Sequence, residues 1–193
     1  MSRIFLETRR LVLREITMDD AEDIRRLSSD TEVMRYLNGG RPLSREESLA
    51  EMLEYFSRYA RFGGHGNWAA IDRASGWFLG MFKFHPENES APDSFELGYR
   101  ISRRAWGRGL ATEGSIALVR KAFTELGLNR VWAQAMAINQ GSRRVLEKAG
   151  LRYVRTFAQD GTVAGDEHGG VVYATTRREW LAERARGTVS GAG

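Results

Sequence analysis

Between residues 95 and 127 the hydrophobic period changes within one short segment, and that change limits the fold more than anything else in the chain. Phe95, Leu97, Tyr99 and Ile101 alternate with Glu96, Gly98 and Arg100, the period of two expected of a half-buried strand. The run Arg103-Arg104-Ala105-Trp106-Gly107-Arg108-Gly109 follows, and then a helical pattern over 109–126 that Gly127 closes as a C′ residue. A strand therefore feeds through a two-glycine turn directly into a helix. Glycines one residue apart let the backbone turn tightly and bring its N–H groups near a ligand. The helix start adds unsatisfied N–H donors and a positive dipole end, which favours an anion. Arg104 and Arg108 add charge of the sign a pyrophosphate needs. A plain strand-to-helix turn would use the same glycines, so this segment alone does not decide between the two.

The rest of the chain supplies a mixed set of elements. A first strand is expected over 9–16, and Thr17 with Asp20 opens a helix that runs to about residue 29. Ser44-Arg45-Glu46-Glu47 is a capping box for a second helix, with Leu49, Met52, Leu53, Phe56 and Ala60 on one stripe. Strands follow over 67–72 and 77–84 around the turn Ala74-Ser75-Gly76, and another over 131–137. Asn139 caps a short helix that ends at Ala149-Gly150-Leu151. Strands over 151–157 and 170–175, a polar loop between them and a helix over 178–186 complete the order. That order fits an α/β or α+β sandwich with a mixed sheet. One domain is expected through residue 186, with 187–193 as a flexible tail.

Composition excludes several chemistries. The 193 residues contain no cysteine, so there is no thiol nucleophile, disulfide framework or Cys-ligated metal site. With His65, His85 and His168 in no ligand spacing, no metal is expected. No apolar run is long enough to span a membrane, and Met1-Ser2-Arg3 leads into a strand pattern without a signal-peptide core, so a cytoplasmic protein is expected. Of 29 basic residues only Lys83, Lys121 and Lys148 are lysine, and the arginines are spread along the chain beside acids. Local anion binding at Arg100, Arg103, Arg104 and Arg108 fits that distribution better than a nucleic-acid surface.

Known phosphate loops separate by spacing. A Walker loop needs a Lys-Ser or Lys-Thr step, which the chain lacks, and the dinucleotide fingerprint would need Gly or Ala where Thr112 stands. Arg104-x-x-Gly107-x-Gly109, however, resembles the Q/R-x-x-G-x-G/A motif of the GNAT N-acetyltransferases, and the run Trp106-Gly107-Arg108-Gly109-Leu110-Ala111-Thr112-Glu113 is similar to the ribosomal-protein N-terminal acetyltransferase branch. Two further blocks agree. Asn139-Gln140-Gly141-Ser142 through Leu146, Lys148 and Gly150-Leu151 resembles that branch's N-x-x-S-x-x-x-L-x-K-x-G-[FL] helix. Leu6-Glu7-Thr8-Arg9-Arg10-Leu11-Val12-Leu13-Arg14 resembles its opening strand.

The resemblance implies a mostly antiparallel central sheet splayed in a V, flanked by helices, with acetyl-CoA in the V between the strands at 95–101 and 131–137. Tyr99, Ile101, Arg104, Trp106, Gly107, Arg108, Gly109, Ala111, Thr112, Asn139 and Ser142 would bind it. Ile101 and its neighbours would extend the sheet onto pantetheine, and the turn amides of 104–109 would take the pyrophosphate. The implied activity is direct transfer of acetyl to a primary amine of a protein N-terminus or a small molecule. Many relatives dimerise, so a homodimer is an expectation of the resemblance.

Catalysis needs a neutral amine, a stabilised oxyanion and a proton for the thiolate. Glu96 is the first candidate base, or else a salt-bridged carboxylate. The helix tyrosine common in the superfamily falls at Leu146, and the branch's serine falls at Ser142, as proton donor or first-turn cap. A superfamily glutamate on the second central strand falls near Gln134, which leaves the base among Glu96, Asp160, Asp166, Glu167 and His168, or dispenses with one. The second helix, residues 62–68 and residues 158–169 would form the acceptor mouth. His65 reads as an exposed loop residue and His85 as a turn residue, while Tyr55, Phe56, Tyr59, Phe62, Trp68 and Phe82 read mostly as core. The alternative is a non-catalytic CoA-binding or regulatory module, which Leu146 and Gln134 keep open.

Overall fold

The computed structural model describes residues 2–63, 65–88, 90–158 and 169–189. In chain order its elements are β1 (Ile4–Glu7), β2 (Leu11–Glu15), α1 (Ala21–Ser29), α2 (Thr31–Met34), α3 (Arg45–Arg61), β3 (Gly66–Asp72), β4 (Phe78–Pro86), β5 (Ser94–Ile101), α4 (Leu110–Thr124), β6 (Arg130–Met136), α5 (Gln140–Lys148), β7 (Arg152–Phe157), β8 (Gly170–Thr176) and α6 (Arg177–Val189). The strands form one sheet in the order β1-β2-β3-β4-β5-β6-β8-β7. Neighbours run antiparallel except β5 and β6, which are parallel.

Strand alternation sorts the core into two layers. Ala69 and Met81 face Ile24 and Leu27 of α1 and Met52 and Tyr55 of α3. Trp68, Phe82, Phe84 and Leu97 face the other way, with Leu118 and Phe123 of α4, Leu146 of α5 and Trp180 of α6. The helix over 109–126 is apolar because it lies on this second layer. Its Gly114 sits so close to the sheet that an added Cβ would stand 2.3 Å from Phe82 Cζ. Gly114→Ala should therefore destabilise the fold by about 1–3 kcal/mol despite a helix-propensity gain of about 1 kcal/mol. Calorimetry should show a lower melting temperature; a rise would mean that the Phe82 ring yields freely.

The splay is a matter of register. β5 and β6 pair only at Ser94↔Arg130, Phe95↔Val131 and Glu96↔Trp132. Beyond Glu96, β5 stays with β4 as far as Gly80↔Ile101, while β6 stays with β8 as far as Met136↔Gly170. The sheet divides there into two halves, and the facing edges of β5 and β6 part in a V.

Several local expectations need correction. The opening strand is two strands, because Thr8 turns the chain: its N–H donates to Leu11 O at 2.8 Å. The short helix α2 went unexpected, although Asp30 caps it through Glu32 N–H at 3.0 Å. The last helix runs to Val189, three residues past its expected end at residue 186. His85 is no turn residue; it lies on β4 opposite Glu96 and is 5% exposed. Nor is His65 an exposed loop residue: its ring packs edge-on against Phe95 at 4.9 Å and Phe5 at 5.9 Å.

Candidate functional site

A cleft of about 1070 Å³ passes through the V, lined on one side of the sheet by α4 and α5 and on the other by α2 and α3. One end is formed by the glycine turn. After a 3₁₀ turn at Arg103–Ala105, Gly107 and Gly109 adopt φ of 72° and 71°, the left-handed region that glycine enters without strain. Gly109 is the N-cap of α4 and has no side chain to cap it. The first N–H groups of α4, at Leu110, Ala111 and Thr112, therefore have no N-cap side chain to accept from them and stand at the positive end of the helix. Gly107, Gly109, Ala111 and Thr112 all line the cleft.

The turn is held from behind by a network linking distant parts of the chain. Arg10 donates from Nη1 to Arg108 O at 2.8 Å and from Nε to Glu113 Oε2 at 2.6 Å. Thr8 Oγ1 and the Arg10 N–H both donate to Glu113 Oε1, at 2.6 and 2.9 Å. Burial works to raise the Glu113 pKa, but the hydrogen bonds from Thr8 and Arg10 outweigh it and hold the carboxyl below its ordinary value. The acid nearest the helix start is thus drawn away and neutralised. The opening motif around Thr8-Arg9-Arg10 gains a purpose that sequence reasoning missed; the only signal was that Glu113 occurred in the same family pattern.

The two arginines expected to add charge do not face the cleft. Arg104 donates to the Phe78 carbonyl, and its guanidinium lies 5.4 Å from the Trp77 ring centroid. Arg108 reaches Asp72 Oδ2 at 3.4 Å. Their side chains brace the turn, and the residues of the turn that line the cleft are Trp106, Gly107 and Gly109. Ile101 differs in part as well. Ser102 N–H donates to Leu79 O at 2.9 Å, so by alternation the backbone groups of 99 and 101 face the V. The Ile101 carbonyl, however, already accepts Trp106 Nε1 at 2.7 Å. That contact folds Trp106 against the strand end, where it lines the cleft.

Where the V opens, two hydroxyls meet. Asn139 Oδ1 accepts the Ser142 N–H at 3.0 Å and caps α5, placing Ser142 in its first turn. Tyr99 Oη, reaching across from β5, lies 2.8 Å from Ser142 Oγ and 3.1 Å from Ser142 O. Burial pushes the Tyr99 phenol up to about 12, with the Ser142 contact working against it. Leu146 is buried beside this pair, and Gln134 also lines the cleft.

The other side carries fixed ion pairs. Glu96 is bound by Lys83, and Arg100 pairs with Glu51 at 2.9 Å while donating to Ser28 Oγ at 2.7 Å. Arg58 donates to Asn67 Oδ1 at 3.1 Å, and Tyr55 stands beside it. Glu96 is therefore the salt-bridged carboxylate that was its alternative reading, yet it still lines the cleft. α3 and Asn67 line the cleft on this side, and Trp68 and Phe82 are fully buried core. Asp160, Asp166, Glu167 and His168 lie outside the described residues.

Residues 10–152 match the family model described as an acetyltransferase (GNAT) domain. The chain belongs to the GNAT acetyltransferases. It is 36% identical over 184 residues to the FsC-acetyl coenzyme A-N(2)-transacetylase of Aspergillus fumigatus, covering 91% of this chain and 77% of that one. A Bacillus subtilis protein, YdaF, named as a candidate ribosomal N-acetyltransferase, is 36% identical over 56% of this chain and 59% of its own length. Among solved structures, a GNAT-family acetyltransferase from Bacillus anthracis superposes with a TM-score of 0.74 at 25% identity, over 92% of this chain and 99% of that one. This GNAT enzyme is an acetyl-CoA-dependent acetyltransferase, and its splayed sheet is the family's fold. Among the described residues no helix is long and apolar enough to cross a membrane.

Proposed function

We propose that this acetyltransferase passes the acetyl group of acetyl-CoA directly to a primary amine, of a small molecule or of a protein N-terminus, inside the V. One observation carries the reading: the uncapped start of α4, the open edge of β5 and the polar face of Glu96 all line a single cleft through the sheet. The chain fits the co-substrate at each of its parts. The pyrophosphate would lie on the N–H groups of the glycine turn and of Ala111 and Thr112, the pantetheine along 99–101 and Asn139, and the thioester near Ser142. The thiol that the chain lacks arrives with CoA.

On the far side an amine enters between α3 and β5. Glu96, held by Lys83, takes the amine's proton through water, and the Ser142 hydroxyl serves the departing sulfur. A relative whose name records acetyl transfer from coenzyme A to a nitrogen, N(2), matches along 91% of this chain, which supports an amine acceptor. Two hydroxyls and a carboxylate, those of Tyr99, Ser142 and Glu96, line the cleft, which supports transfer over the non-catalytic module.

The test is release of free CoA from acetyl-CoA in the presence of amino acids, polyamines, aminoglycosides and N-terminal peptides, with CoA binding followed by calorimetry. Turnover with one class confirms transfer and names the acceptor. CoA binding without release across all classes would favour the binding module, and absence of CoA binding would overturn the assignment of the glycine turn.

A further inference from the structure

Resting on the reading that Ser142 serves the CoA sulfur, we infer that Tyr99 is the positioning residue that aims the Ser142 hydroxyl at that sulfur. The position where the superfamily's tyrosine would stand is Leu146, a buried hydrocarbon side chain that can donate nothing. The phenol comes instead from β5, the opposite wall of the V, and stops 2.8 Å from Ser142 Oγ.

The argument is one of hydrogen-bond inventory. A phenol has a single proton, and Tyr99 Oη has two acceptors in reach, Ser142 Oγ at 2.8 Å and Ser142 O at 3.1 Å. With that proton on the carbonyl, the short contact to Oγ is filled only if Ser142 donates its own proton to the phenol, which leaves none for sulfur. With that proton on Oγ, the serine proton is free to point into the cleft. A developing thiolate favours the second arrangement, because the two O–H dipoles then align in series toward the negative charge. Burial keeps the phenol protonated, and hence a donor, across the working range.

In the transfer step the amine nitrogen forms the bond to the acetyl carbon and the carbon–sulfur bond breaks, with its electron pair going to sulfur. Ser142 passes its proton to that sulfur, Tyr99 replaces it on Oγ, and the amine's proton, taken up through water by Glu96, is released to solvent, from which Tyr99 is reprotonated. The products are the N-acetyl amine and CoA thiol, with no net change on the enzyme. The Phe82 ring packs against the Tyr99 ring in a tilted contact, with centroids 5.9 Å apart.

The test needs no acceptor, because CoA itself is the probe. The thiol of enzyme-bound CoA is titrated by its ultraviolet thiolate absorbance in the wild type, Tyr99→Phe, Ser142→Ala and the double variant, with each variant's CoA affinity checked by calorimetry. The bound thiol should ionise about one unit lower in the wild type than in Ser142→Ala, a tenfold change in thiolate at a given pH. Tyr99→Phe should lose most of that shift when each protein is titrated at saturating CoA, and the double variant should match Ser142→Ala. A wild-type titration in Tyr99→Phe, with Ser142→Ala shifted, would overturn the role of Tyr99 alone. Equal titrations in all four would overturn both it and the reading of Ser142. Extra loss in the double variant would also overturn it, since Tyr99 would then act independently of Ser142.

Discussion

Gly109→Val is expected to weaken CoA binding by about 30- to 100-fold, the equivalent of the 2–3 kcal/mol that a β-branched residue costs in the left-handed region. Space is not the obstacle, because the nearest atom to an added Cβ is Arg10 Nη2 at 3.8 Å. The obstacle is the φ of 71°, which valine escapes only by rotating the peptide that precedes it. That rotation swings the residue-109 N–H out of the glycine turn and strains the Arg10 hydrogen bond to Arg108 O. Gly109→Asn supplies the contrast, since asparagine tolerates the same region, and it should cost only a few-fold. Calorimetric titration with CoA compares the two variants directly. Valine binding as tightly as glycine would mean that the turn's N–H groups are not the pyrophosphate cradle.

The second large effect is on stability as the pH falls. His85 is 5% exposed, its ring is stacked on Phe62 at 5.1 Å, and Nδ1 meets the Pro86 carbonyl at 2.6 Å. Nδ1 must therefore carry the proton of the neutral ring, and Nε2 is buried without a partner among the described residues. Burial is the main cause that lowers its pKa to about 4, aided by Lys83 and Arg58 and opposed by the Pro86 hydrogen bond and Glu54. A depressed histidine pKa means that the unfolded chain binds the proton more readily than the folded one. The stabilisation is then complete above the unfolded value of about 6.5 and is lost as pH falls from there toward 4. The full span corresponds to about 3 kcal/mol, of which about 2 kcal/mol is gone by pH 5. His65, lowered by burial with Arg3 and Lys121 adding to it, acts in the same direction. Denaturant titrations between pH 7 and 4.5 should show this slope, and His85→Phe should flatten most of it while keeping the stack on Phe62. An unchanged slope in that variant would reassign the effect to other groups.

Much of the fold was legible because its signals are local. The capping box at Ser44, the alternation at 95–101 and the glycine stops after α4 and α5 each sit within a few residues of the element they define. The glycine turn was legible for the same reason, and so was Asn139 as the cap of α5. Where the reading erred, the deciding partner was remote. Arg104 and Arg108 read as phosphate ligands from their place in the motif, while Phe78 and Asp72, which hold their side chains here, lie on other elements. His65 and His85 looked like loop and turn residues until the aromatic rings of Phe5, Phe62 and Phe95 closed around them.

The amino-acid order by itself determined which stretches are strand and helix, where the chain must turn on glycine, and that any thiol chemistry has to come from outside. Those properties rest on short-range sterics, period and composition. Tertiary structure decided that β5 and β6 part after Glu96, that Arg10 grips a turn nearly a hundred residues away, separated from Arg108 by 98 positions, and that Tyr99 meets Ser142. A strand's periodicity says which face is buried but not which edge is left unpaired. Nor can it say which hydroxyl from another element will arrive within hydrogen-bond reach.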